Sequence, residues 1–273
     1  MTDATVPAAA DPRRSLSPPR QWRALARDVV VAGVLLGLLG YAWHDTGASI
    51  TTLIDGLGNT YRLIRRALPP DWSVLRNSIR GAILTFNTAF LATAGALVLS
   101  LLLTPLAARN IAPNRVVYEI ARFVIGVLRA IPEFVFALIF LVAVGISPYS
   151  IVLAIGAHTI GVLSKLFAEA VEDMDMGPVD ALRAAGAGRG QVFLHAIIPG
   201  VAATFTGLTL YRLDTNLRAA LYLGALGGGG LGLMLFNSLE LFQYQQAATQ
   251  IIVLLVLLLI VERVSSLLRQ RIL

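Results

Sequence analysis

The stretch PVDALRAAGAGRGQVFLHAIIP, residues 178–199, decides how this chain is interpreted, because it is short and polar and lies between long apolar segments. Pro178 suits the first turn of a helix, and Asp180 lies where a carboxylate interacts favourably with the positive end of the helix dipole. Gly186 then breaks the helix, and the apolar pattern that resumes after it is interrupted at Pro199. The pattern predicts a helix, a glycine turn and a second helix outside the membrane.

The composition places the rest of the chain in a lipid bilayer. Of its 273 residues, 56% are hydrophobic and only 14% are charged, which is far from the composition of a soluble globular domain. A helical span needs about 20 mostly apolar residues. We therefore predict an all-α polytopic membrane protein with about six transmembrane helices, near residues 29–44, 81–106, 122–145, 150–171, 196–222 and 247–267.

The distribution of arginine predicts the topology, with both termini in the cytoplasm. Five arginines lie in residues 1–28, whereas the predicted outer loops at 146–149 and 221–246 contain neither Lys nor Arg. Residues 45–80 are predicted to be outside although they are rich in arginine, and we interpret them as an amphipathic segment on the outer surface. In this topology the polar stretch lies in the cytoplasm between spans 4 and 5.

The pattern divides the chain into three parts. Residues 1–28 are basic and rich in Ala and Pro, which predicts a disordered cytoplasmic tail. Residues 29–80 contain an N-terminal anchor span and the outer amphipathic segment, and residues 81–273 form the membrane core. The apolar run at 29–44 could instead be a signal-peptide core, but its long basic lead and the lack of a good small-x-small cleavage site favour an uncleaved anchor.

Several kinds of site are excluded by the residues. The chain has no cysteine and only three scattered histidines, so it offers no disulfide and no recognisable metal-ligand set. No Gly-x-x-x-x-Gly-Lys-[Ser/Thr] sequence is present to cradle ATP phosphates. We predict no catalytic, cofactor or metal site in this chain, and we interpret the net charge of +6 as membrane topology and not as nucleic-acid binding.

Ionisable side chains within the predicted spans mark a candidate translocation path, because a charge at membrane depth costs at least about 2.5 kcal/mol. They recur at helical spacing, so that Arg129 can pair with Glu133 and Lys165 with Glu169, and Pro132 is expected to kink the third span. These pairs can equally serve only to fix helix packing, and the sequence leaves both roles open. The candidate path residues are Arg129, Glu133, His158, Lys165, Tyr211, Asp214, Asn216 and Arg218.

Arg218 has the strongest case among them, because Asp214 is its only local partner and the outer end of the fifth span is close. An arginine in that position attracts anions, although a structural pair with Asp214 is the alternative. The next segment, 221–232, has five glycines among its last six residues, too many for a stable helix interior. It is either a plain loop or a gate hinge formed by Gly227, Gly228, Gly229 and Gly230.

The polar stretch resembles the EAA loop of the membrane subunits of ATP-binding-cassette (ABC) importers, in which Glu-Ala-Ala is followed after three residues by Gly and after nine more by Ile-x-Leu-Pro. Ala181, Gly186 and Pro199 are identical to that pattern, whereas Leu182 and Ala196 depart from it. Longer stretches resemble the phosphonate, phosphate and phosphite branch of these importers: PLAARN at 105–110, RAIPEFVFALIF at 129–140, AHTIGVLSKLFAEAVED at 157–173 and YRLDTNLRAALYLGALGGGGLG at 211–232.

The resemblance implies a permease of the bacterial cell membrane that moves phosphonate- or phosphate-type oxyanions by alternating access, with a methionine-importer-type fold. It implies four kinds of partner: a second permease subunit, two cytoplasmic ATPases that bind ATP and Mg, an extracytoplasmic binding protein, and the lipid bilayer. The residues implied to couple to the ATPase are Asp180, Ala181, Leu182, Arg183, Ala185, Gly186 and Ala187. The alternatives are an importer of another small solute such as methionine, or a secondary transporter driven by an ion gradient, which would often show inverted repeats.

Overall fold

A computed structural model describes residues 21–272, so most of the predicted disordered tail lies outside the described residues. The regular elements in this range are helical, which confirms the predicted all-α class. Their bounds are α1 Gln21–Asp45, α2 Ile50–Ala67, α3 Leu75–Ala107, α4 Arg115–Ala130, α5 Glu133–Val144, α6 Pro148–Glu172, α7 Gly177–Ala184, α8 Arg189–Val192, α9 Ile198–Leu223, α10 Gly230–Glu240 and α11 Tyr244–Ile272.

Five helices of the described range are long and apolar enough to cross a membrane, and a bent pair brings the number to six. The pair consists of α4 and α5, which meet at an angle of 88°. At about 1.5 Å per residue, their 16 and 12 residues extend roughly 24 and 18 Å, less than the ~30 Å hydrocarbon core. The break lies at Ile131 and Pro132, because the residue before a proline is forced out of the helical conformation. The predicted kink is thus confirmed, as a full break.

The described helices fall into two compact units that divide after Arg62. The first contains α1 and most of α2. In α2, apolar residues recur at helical spacing on one face, and polar residues such as Asp55 and Asn59 occupy the other. The predicted amphipathic segment, residues 45–80, therefore contains an amphipathic helix, and its place on the outer surface stays a prediction.

The second unit is centred on α3, α6 and α9. The buried face of α3 consists of small residues, which allow neighbouring helix backbones to approach closely. These residues include Ala82, Thr85, Ala89, Ala92, Thr93 and Ala96. The expectation that this span packs inside the bundle is confirmed.

The second unit has two distinct ends. At the first, which we call the α7 end, the Asn110 side-chain amide donates to the Val171 carbonyl oxygen at 2.8 Å, joining the C-terminal ends of α3 and α6. At the second, the glycine end, the Asp71 N–H donates to the Gln245 carbonyl oxygen at 3.1 Å, joining the starts of α3 and α11. The glycine-rich segment also lies there, against the start of α6.

Two sequence predictions about α9 and its surroundings are wrong. The helix is not interrupted at Pro199, because Phe193–Ile197 forms a π-turn before α9, and this wider turn accommodates the missing proline N–H. The helical run Arg189–Gly228 therefore spans 40 residues, and it is kinked near its end at Gly227, whose φ of +113° is not helical. The predicted outer loop at 221–246 also contains the helix α10, which packs against α3.

Candidate functional site

The short helix α7 forms where the sequence predicts it. Asp180 lies in its first turn, and the helix ends before Gly186, whose backbone has a φ of +84°. The Gly186 N–H donates to the Arg183 carbonyl oxygen and the Ala187 N–H to the Leu182 carbonyl oxygen, both at 3.0 Å. This is a Schellman motif, in which the residue with positive φ is usually glycine. The glycine turn is therefore confirmed in detail.

One side of α7 is fixed to the bundle and the other is free. Val179 is fully buried among apolar residues of α6 and of the segment that leads into α9. Five of the seven predicted coupling residues are exposed, whereas Leu182 and Ala187 are half-buried. A side chain at Gly186 would meet no atom of this chain within 4 Å. The exposed surface of α7 is available to another protein.

A polar cluster at the α7 end holds α4 against the C-terminus of α6. The Arg122 guanidinium donates to Glu172 Oε1 at 2.7 Å and to the Ala107 carbonyl oxygen at 2.7 Å. The Arg109 N–H donates to the same Glu172 oxygen at 2.7 Å. Sequence reasoning missed this cluster, because Glu172 and Arg122 are 50 residues apart and no local spacing relates them. Only four residues separate Glu172 from the first residue of α7.

The predicted ion pair between Arg129 and Glu133 is not formed. The two residues lie on opposite sides of the α4–α5 break, so the helical i,i+4 geometry does not apply to them. Glu133 instead accepts a hydrogen bond from the Tyr222 hydroxyl of α9. His158 Nδ1 lies 3.2 Å from the Ile131 carbonyl oxygen, so α6 contacts the backbone at the break.

Two other predicted pairs are present. Lys165 Nζ lies 3.1 Å from Glu169 Oε1 on α6, and Arg218 Nη2 lies 3.1 Å from Asp214 Oδ2 on α9. The Arg218 side chain is nevertheless 60% exposed, on the same face of α9 as the exposed Tyr211. These residues belong to a polar stripe along α9, which we define as Tyr211, Asp214, Arg218 and Tyr222; Asp214 is half-buried and the other three are exposed.

Asn216 lies on the opposite, buried face of α9. Its side-chain amide donates to Thr93 Oγ1 of α3 at 2.8 Å, and its carbonyl oxygen accepts from Thr159 Oγ1 of α6 at 3.0 Å. Arg212 donates to both the Asn216 carbonyl oxygen and Thr159 Oγ1 at 3.1 Å. Sequence reasoning missed Arg212, although its spacing of four residues from Asn216 places both on one helix face.

The four predicted hinge glycines are closely packed at the glycine end. Gly227, Gly229 and Gly230 have φ values of +113°, +84° and +72°, which favour glycine. A Cβ on Gly228 would collide with the Ile151 side chain. The Leu231 N–H donates to Thr85 Oγ1 of α3 at 2.9 Å, which fixes the start of α10.

The chain is similar in sequence to several known proteins. The family of binding-protein-dependent transport system inner membrane components matches residues 100–273. A phosphite transport system permease protein of Stutzerimonas stutzeri is 40% identical over 249 residues, which cover 91% of this chain and 90% of that protein. A phosphate-import permease protein of Mycolicibacterium smegmatis is 37% identical over 223 residues, which cover 81% of this chain and 41% of that protein.

A solved structure shows the same fold. One chain of an inward-facing methionine ABC transporter superposes with a TM-score of 0.63 at 19% identity, covering 76% of this chain and 99% of that chain. The implied methionine-importer-type fold is therefore confirmed.

Proposed function

This chain belongs to the family of binding-protein-dependent transport system inner membrane components, and from this membership we propose a role for each of its parts. It is a multi-pass inner-membrane protein and a permease component of an ABC importer. Its substrate is an oxyanion of the phosphite, phosphate or phosphonate type. This assignment is supported by relatives at 37–40% identity that are named for phosphite and phosphate transport.

The coupling element is α7. The observation that carries this role is that α7 is held to the bundle by the buried Val179 while most of its predicted coupling residues are exposed. Its Schellman motif makes it a short rigid lever that can sit in a cleft of a cytoplasmic ATPase. ATP and Mg belong to two such ATPase subunits, because this chain has no phosphate-binding Gly-Lys sequence.

The α7 end faces the cytoplasm in this proposal. Five arginines lie there, Arg109, Arg115, Arg122, Arg183 and Arg189, and the positive-inside rule favours the more basic side for the cytoplasm. Fewer lie at the glycine end, where Arg66, Arg76 and Arg80 lie near the start of α3. Both chain termini then lie on the cytoplasmic side, and the glycine end faces the extracytoplasmic binding protein that delivers the oxyanion.

The polar stripe of α9 faces a second permease subunit, either another copy or a paralogue. Arg218 and Arg129 are exposed within segments of membrane depth, where contact with lipid would cost each charge at least about 2.5 kcal/mol. A water-filled path between two permeases removes that penalty. The path is lined by the predicted residues on α4, α5, α6 and α9 except the buried Asn216, and the four glycines form its outer gate.

Transport proceeds by alternating access. Closure of the ATPases displaces α7, and the movement passes to α9 through α8 and the Phe193–Ile197 turn, which α7 contacts directly. The path then opens to the opposite side of the membrane. No step requires a catalytic group in this chain.

The coupling role is tested by replacing Gly186 in the complete transporter in proteoliposomes, using phosphite as the substrate. Gly186→Leu forces a large side chain into a backbone with φ of +84°, which costs about 1–2 kcal/mol and alters the surface offered to the ATPase. We expect the complex to assemble and the phosphite imported per ATP hydrolysed to fall about tenfold, which corresponds to roughly 1.4 kcal/mol.

Two controls separate the causes. Gly186→Asn should retain most of the coupling, because asparagine tolerates the left-handed backbone. Gly190→Leu adds the same bulk at a nearby exposed position with ordinary φ and with no atom within 4 Å of its Cβ. Normal import by Gly186→Leu would contradict the coupling role of α7.

A further inference from the structure

Arg212 is the most deeply buried charged residue among those described, with only 7% of its surface exposed. Its guanidinium has two hydrogen-bond partners, the Thr159 hydroxyl and the Asn216 carbonyl oxygen, and both are neutral. Its Nε has no partner. Within residues 21–272, no ion pair includes Arg212, in contrast to Arg218 and Lys165.

The position of this group is central in the membrane. Thr93, Thr159 and Arg212 lie near the middle of α3, α6 and α9, the helices at the centre of the bundle. Their hydrogen bonds connect these three helices through Asn216. In secondary transporters the substrate sites lie at comparable midplane positions, where helices from different parts of the fold meet.

The energetics of this arrangement favour an anionic ligand. Burying a charge without a charged partner is costly, and neutral oxygens compensate it less well than an oxyanion does. The charge of Glu133 acts on Arg212, but that carboxylate accepts its hydrogen bond from Tyr222 and forms no ion pair with the guanidinium. A purely structural role would be served as well by an apolar side chain of similar volume.

We propose that the Arg212 guanidinium binds the transported tetrahedral oxyanion, and that Asn216 and Thr159 satisfy its hydrogen bonds until movement of α9 opens this buried group to the path. In the structure the side-chain oxygens of Asn216 and Thr159 accept hydrogen bonds from the guanidinium. Oxygens of the ligand replace them when the path opens. The guanidinium fork then donates to two ligand oxygens, and the Asn216 and Thr159 side chains remain bonded to each other at 3.0 Å. The site rests on the proposed function, because it requires an oxyanion to enter the path.

The test compares Arg212→Met, Arg212→Lys and the matched control Arg263→Met, which makes the same change at an exposed position of α11. Each variant is purified as the whole transporter. Its melting temperature is measured in chloride and in phosphite of equal ionic strength, and phosphite uptake is measured in proteoliposomes. We expect Arg212→Met to melt no lower than the wild type in chloride, to lose the stabilisation by phosphite, and to import at least about tenfold more slowly, since a charge-assisted fork is lost.

Arg212→Lys should retain part of the uptake because it keeps the charge but loses the fork. Arg263→Met should behave as the wild type in all three measurements. A loss of melting temperature that parallels the loss of uptake would show that Arg212 is structural and would overturn the site, as would normal uptake by Arg212→Met. Failure of the wild-type transporter to import any oxyanion, while it imports another solute, would instead refute the proposed function.

Discussion

Replacing Gly232 by alanine is expected to destabilise the glycine end. Gly232 lies in the first turn of α10, where that helix crosses the C-terminal end of α9. An added Cβ would collide with the Leu221 carbonyl oxygen and would lie 2.9 Å from its carbonyl carbon and 3.3 Å from the Ala225 nitrogen. All three are backbone atoms, so no side-chain rotation relieves the collision and the two helices must separate.

The magnitude follows from two opposing effects. Overpacking a close contact costs about 1–3 kcal/mol, and a clash with backbone belongs in the upper part of that range. Alanine is favoured over glycine in a helix by about 1 kcal/mol, which offsets part of the loss. The free energy of unfolding should therefore fall by about 2 kcal/mol, and the melting temperature by roughly 4–8 °C for a chain of this size.

The assay is thermal unfolding of the purified transporter in mild detergent, followed by tryptophan fluorescence. Gly95→Ala is the matched control, because Gly95 is an exposed helical residue whose added Cβ would meet nothing within 4 Å. We expect that control to melt at or slightly above the wild-type temperature. If Gly232→Ala did the same, the glycine end would be loosely packed, and our reasoning from the close contact would be refuted.

Two further predictions concern charged residues. Glu172→Ala removes two charge-assisted hydrogen bonds, and because Arg122 and Glu172 are only 21% and 27% exposed we expect a loss of about 1.5–3 kcal/mol in the free energy of unfolding. A double-mutant cycle with Arg122→Ala should give a coupling energy near 1 kcal/mol. Strictly additive losses would show that the two side chains do not stabilise each other. Arg218→Ala should slow oxyanion uptake while the ATPase still co-purifies, and it should lower the free energy of unfolding by no more than about 1 kcal/mol, because Arg218 is 60% exposed although Asp214 is only 23% exposed. Unaltered uptake kinetics would remove Arg218 from the path.

The sequence predicts the features of this fold that arise from local interactions. The bounds of α7 depend on Asp180 and Gly186, whose effects act within one helical turn, and the structure agrees with both. The apolar spans depend on composition over about 20 residues, and they too are confirmed. The pair of Lys165 and Glu169 follows from helical spacing alone, since both lie within one continuous helix.

The features that the sequence does not predict depend on distant residues or on a change of direction. Arg129 and Glu133 have the i,i+4 spacing of a helical ion pair, but they do not pair because the 88° break between α4 and α5 lies between them. The orientation of Arg212 depends on Thr159, which is 53 residues away, so no local pattern distinguishes it from Arg218. The sequence does not predict helix α10, because glycine has a low helical propensity and the glycines at its start serve close packing instead.

The long run from Arg189 to Gly228 has a mechanical consequence. Its regular part, up to Leu223, already exceeds the ~30 Å hydrocarbon core, so one helical run joins the surface beside α7 to the glycine segment at the other end. A π-turn at Phe193–Ile197 lies near its start, and the kinked segment Gly224–Gly228 lies at its end. A rotation applied beside α7 would therefore reach the glycine segment through this one run, and the irregular segments at its two ends are the positions where its hydrogen bonds are most easily rearranged.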